Sequence, residues 1–103
     1  LGAMLELGAD ERELHASVGE YAAGLGLDAI ITVGSASDAH LNVLAESLAE
    51  GATRGRAASV DCVQTIDEAE RIVLDLAKNH TDTVVLLKGS HASGLSALAE
   101  RWA

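Results

Sequence analysis

The sequence predicts an α/β domain: a mostly parallel sheet with helices on both faces. Three observations carry this. Apolar runs alternate with amphipathic stretches along the chain, as strands and helices do in repeated β-α units. The runs in "DAIITVG" and "TVVLLK" do not alternate apolar with polar residues, so each reads as a strand covered on both sides. At 103 residues, 49% of them hydrophobic, the chain supports one core and not two, so residues 1–103 form a single domain.

The elements follow in order. "AMLEL" offers a short first strand. Residues 10–25 predict a helix with Asp10 as N-cap and Glu13 at capping-box spacing. Leu14, Val18 and Leu25 with Ala22 make its apolar face, and Gly24 and Gly26 stop it. "DAIITVG" is the next strand, ending at Gly34. A second helix follows, capped by Ser35 or Ser37, striped by Leu41, Leu44 and Leu48 and ended by Gly51. "ATRGRAA" reads as a basic loop and "SVDCVQ" as a weak strand. The third helix is the clearest: Thr65 and Glu68 form a capping box, Ile66, Ala69, Ile72, Val73 and Leu76 form a face, and Lys78 and His80 sit at the negative end of its dipole. "TVVLLK" is a buried strand, and a last helix starts near Ser93 with Leu95, Leu98, Ala99 and Trp102 on one side. Three clear strands are few for a complete domain of this class. The opening "LGAMLELGADE" reads as a chain cut inside an element, so the expectation is a piece of a longer protein, truncated at its N-terminus.

Composition excludes several classes. A net charge of −9 argues against nucleic acid and anionic membrane, which reward clustered Lys and Arg. No apolar run approaches the ~18 residues of a membrane span. The single cysteine, Cys62, builds neither a disulfide framework nor a zinc site; it is expected as a small buried side chain in a reducing, cytosolic compartment. The histidines His15, His40, His80 and His91 are too scattered for a metal motif, and His40 and His80 read as surface residues at helix ends.

Chemistry in such a sheet collects at the carboxyl ends of the strands. Two stretches there combine glycine and hydroxyl groups at a helix start, where unpaired amides attract anions: Gly34-Ser35-Ala36-Ser37 and Lys88-Gly89-Ser90-His91. A turn followed by a cap explains the first without a ligand. Lys88 is not needed for a turn. Neither stretch is a phosphate loop or a dinucleotide fingerprint. His15 and Gly19 share a helical face, and close helix–sheet packing accounts for a glycine there. Ser90 and His91 lack an orienting acid and do not form a nucleophile–base pair.

"LGAMLELG", His15 with Gly19 a turn later, "ITVG" and "VVLLKGSHASGL", in this order, resemble the C-terminal domain of the Mur ligases over essentially the whole chain. The likeness is strongest to the branch that joins D-alanyl-D-alanine to UDP-N-acetylmuramoyl-tripeptide. It implies a Rossmann-like three-layer domain, the last of three. The enzyme would use ATP and Mg2+ in peptidoglycan precursor synthesis in the cytoplasm, activating the tripeptide carboxylate as an acyl phosphate for attack by the dipeptide amine. It also implies that Lys88, Gly89 and Ser90 line the substrate-facing edge, with Met4, Glu6 and Gly8 on the same edge. The lysine would complement either the dipeptide carboxylate or a nucleotide phosphate. His91 stands where the family has Arg, losing a permanent charge, and Ala3 where it has an acid. No catalytic residue of the ligation, no ATP site and no metal site is expected in these residues alone, which implies that they are inactive by themselves. The D-N-P-R motif of branches adding diaminopimelate or lysine is absent. The alternative is a stand-alone flavodoxin-like binding or regulatory module.

Overall fold

A computed structural model describes residues 1–3, 10–78, 84–88 and 95–102. Six elements follow in order: α1 (Glu11–Ala23), β1 (Ile30–Val33), α2 (Ala39–Arg54), β2 (Val60–Val63), α3 (Ile66–Lys78) and α4 (Leu95–Arg101). β1 and β2 pair in parallel, Ile30 opposite Val60 through Val33 opposite Val63. On the other side of β1, Gly2 bridges Val33 in parallel, and the Val33 N–H donates to the Leu1 carbonyl at 2.8 Å. The Gly2 N–H points the opposite way and donates to the Lys88 carbonyl at 2.7 Å. The order across this layer is therefore 84–88, 1–3, β1, β2.

Strand periodicity sorts the helices into layers. Ile30 points to Ala22 of α1 and Ala52 of α2. Ile31 and Val33, of opposite parity, pack with Ala69 of α3 and Leu95 and Leu98 of α4. The domain is thus mixed α/β with α1 and α2 on one face and α3 and α4 on the other, a Rossmann-like arrangement. Leu44 and Leu48 of α2 are fully buried, each worth about 1.5–3 kcal/mol of transfer free energy.

Several expectations are corrected. The core side of α1 is His15, Ala16, Gly19 and Ala22, whereas Leu14 and Leu25 are 42% and 56% exposed. The cause is the partner surface. Gly19 meets the Leu48 carbonyl and Ala52 N–H of α2, and Gly51 meets the Ala16 backbone of α1. Two backbones this close leave no room for leucine, so small residues take the contact. Gly19 accordingly serves helix–helix rather than helix–sheet packing. Gly51 does not end α2, which continues to Arg54, so part of the presumed basic loop is helix. Asp10 occupies the N-cap of α1 without a side-chain capping bond. Asp38, not Ser35 or Ser37, caps α2. One half of the capping box of α3 forms, the Glu68 N–H donating to Thr65 Oγ1 at 3.1 Å, while Glu68 Oε1 accepts the Gln64 N–H, one residue before the cap, at 3.3 Å.

Cys62 is exposed rather than buried, because β2 is the outer strand of the described sheet and the helices leave its flank open. Residues 84–88 are not a covered strand: Val84 is 95% and Leu86 72% exposed, while Leu87 tucks beneath Val33 and Leu98. The expected strand "AMLEL" lies largely, and His80 wholly, outside the described residues. α4 is tied to α3 by Arg101, whose Nη1 lies 2.8 Å from Asp67 Oδ1 and 3.7 Å from Glu70 Oε1.

Two outcomes are expected. Gly51→Val drives side-chain atoms into the Ala16 backbone and should lower the unfolding free energy by about 3 kcal/mol in urea titration. Cys62 should react with a maleimide in the folded chain at nearly the rate seen in denaturant.

Candidate functional site

β1 and β2 run parallel, so their carboxyl ends lie on one rim, with Gly2 bridged in parallel to Val33 beside them. Val33 and Val63 are register partners, Gly2 bridges Val33, and the Gly2 N–H holds the Lys88 carbonyl. Lys88, Gly2, Gly34 and Gln64 therefore form a row along one edge. The expected strand at 84–88 is not formed, and Lys88 meets this edge through the Gly2 backbone bond. Its side chain is exposed, and none of the described carboxylates pairs with it. Gly89, Ser90, His91, Met4, Glu6 and Gly8 lie outside the described residues.

The Gly34–Asp38 turn is closed on itself. The space a Cβ would need at Gly34 is filled by the Asn42 side chain. The Asn42 Oδ1 accepts from the Ser35 N–H at 2.8 Å, and its Nδ2 donates to the Ser35 carbonyl. Ser35 Oγ accepts the N–H groups of Ser37 and Asp38, both at 3.1 Å. Asp38 Oδ1 accepts the N–H groups of His40 and Leu41 at 2.9 and 3.3 Å. The N–H groups of Ser35, Ser37, Asp38, His40 and Leu41 are already taken, and Asp38 adds a negative charge where an anion would sit. Gly34 and Ser35 shape the rim; they do not offer it an open anion seat.

His15 and Gly19 are brought together on one face of α1, away from the rim row. His15 is fully buried, with Nδ1 2.6 Å from the Glu11 carbonyl oxygen, and Gly19 seats α2. His40 is exposed, as expected, and its Nε2 lies 2.9 Å from Glu11 Oε2, bridging the starts of α1 and α2.

Sequence reasoning missed Asn42, the residue that locks the rim turn; a polar residue seven positions after a strand-ending glycine carries no local signal. It also missed Thr32, whose Oγ1 is the one buried side-chain polar atom among the described residues without a hydrogen-bond partner. A concavity of about 290 Å³ lies not at the rim but between α1 and α2, lined in part by Arg12, Glu46, Glu50 and Arg54. No group of three His, Cys, Asp or Glu among the described residues is disposed to hold a metal.

Asn42→Ala should unpair both backbone groups of Ser35 and cost about 2 kcal/mol in denaturant unfolding, more than the roughly 1 kcal/mol of Asp38→Ala.

Residues 1–91 match the family described as Mur ligase, glutamate ligase domain. Over 100 residues the chain is 31% identical to a UDP-N-acetylmuramoyl-tripeptide–D-alanyl-D-alanine ligase of Mycobacterium leprae; the match covers 97% of this chain and 18% of that protein. The chain thus spans less than a fifth of its relative's length. No solved structure matches it.

Proposed function

The chain belongs to the Mur ligase glutamate ligase domain family, and on that premise we propose that it positions substrate and nucleotide in an ATP-dependent ligase of peptidoglycan precursor synthesis. The acceptor would be UDP-N-acetylmuramoyl-tripeptide and the incoming group D-alanyl-D-alanine, the substrates in the relative's name. The observation that carries this reading is the exposed Lys88 ammonium, held at the carboxyl rim by the Gly2–Lys88 backbone bond with no described carboxylate to neutralise it.

Lys88 would act by binding and orientation. Its charge complements a carboxylate of the dipeptide or a phosphate of the nucleotide, and the closed Gly34–Asp38 turn beside it supplies a rigid wall. Gly89, Ser90 and His91 would continue the same edge, and Met4 and Glu6 would flank it. ATP and Mg2+ belong in this reading to the rest of the enzyme. ATP, when bound there, supplies the phosphoryl group that activates the carboxylate. These residues alone would not turn over. The setting is the cytoplasm, where nucleotide-linked precursors are made; no described helix is long and apolar enough to cross a membrane.

In the full-length enzyme, Lys88→Ala should raise one KM by about tenfold, the worth of one charge-assisted contact, with a smaller effect on kcat. A rise for D-alanyl-D-alanine assigns the lysine to the carboxylate, and a rise for ATP assigns it to a phosphate. If neither KM moves, the reading of the rim fails.

A further inference from the structure

Two contacts among the described residues place Lys88. Its carbonyl accepts the Gly2 N–H, and the neighbouring Leu87 packs against the cluster of Val33, Ala69, Leu95 and Leu98. Leu87 is the half-buried side chain of residues 84–88; the others are exposed. The first contact fixes the Lys88 backbone from the Gly2 side. The second ties its direction to the position of α4, since Leu95 and Leu98 both belong to that helix.

α4 is weak by itself. It has seven residues, and a helix shorter than about 12 residues is marginal in water without tertiary support. Leu95, Leu98 and Arg101 fall at i, i+3 and i+6, on one side of the helix. The two leucines are buried in the cluster. Arg101 is the third hold, reaching Asp67 Oδ1 at 2.8 Å and Glu70 Oε1 at 3.7 Å on α3. Asp67 stands in the first turn of α3 and Arg101 in the last turn of α4, so each charge is also favoured by its own helix dipole. α3 is a firm base for this pair, because Ala69 and Ile66 enter the same cluster as the leucines.

We propose that Arg101 is a positioning residue for Lys88, a role that rests on that lysine meeting substrate or nucleotide as proposed above. With its guanidinium engaged on α3, Arg101 acts through its own helix. It holds α4 against α3, α4 holds Leu87, and Leu87 carries the adjacent Lys88. One unbroken chain of contacts thus leads from Asp67 to the rim. α4 lies beyond residues 1–91, the part of the chain matched by the family. The competing reading is an ion pair that serves stability alone. Coupling to Lys88 separates the two, because a structural pair would act whether or not the lysine is present.

The test uses the full-length enzyme with Lys88→Ala, Arg101→Gln, Asp67→Asn and the double variant Lys88→Ala/Arg101→Gln, and a melting curve for each. Arg101→Gln and Asp67→Asn should each raise, by about threefold, the same KM that Lys88→Ala raises, with little change in kcat or melting temperature. In the Lys88→Ala background, Arg101→Gln should add nothing. An unchanged KM in Arg101→Gln, a rise in the other KM, or an effect of equal size with and without Lys88 overturns the proposal and leaves the rim reading standing. A Lys88→Ala enzyme with neither KM altered overturns both.

Discussion

The close approach of α1 and α2 is the constraint on which the rest depends. Ala16 and Gly19 on one helix and Gly51 and Ala52 on the other let the two backbones touch. That contact fixes where α2 lies over β1 and β2, and so where α2 begins at the rim. It also turns α1 about its axis. With its small residues committed to α2, the larger apolar side chains of α1 face outward.

The rim follows from that placement. α2 starts where Asn42 can reach back and clamp both backbone groups of Ser35. The clamp, the Ser35 hydroxyl and the Asp38 cap take up most of the amides of the turn, leaving a neutral-to-acidic wall. Lys88 stands two segments away, so positive charge and rigid backbone are contributed by different parts of the same row. The family match places the chain among Mur ligase domains.

Much of the fold was legible because it rests on local signals. Thr65 and Glu68 announced α3, and the β-branched run at Ile30–Val33 announced β1. The parallel class followed from their alternation. What misled was the assumption that the largest apolar residues mark the buried face. Leu14 and Leu25 satisfied helical periodicity, yet the true core face is built from Ala, Gly and one histidine, which have little hydrophobic signal. Gly51 looked like a stop because nothing local shows that a distant backbone needs its space. At the candidate site, Lys88 stood out as a charge after an apolar run, although that run forms no strand. Asn42 was not, since its role depends on a turn seven residues earlier. Cys62 was misjudged because strand position within a sheet, inner or outer, is set by tertiary order.

The outer strand β2 carries Asp61 with its side chain in solvent. Open ladder groups invite another strand to add on, and a carboxylate in the middle of a four-residue strand opposes this. Self-addition at that border would set aspartate close to aspartate on molecules that already repel. Sheet growth is thereby discouraged on this side, and among the described residues it is charge that disfavours polymerisation through β2.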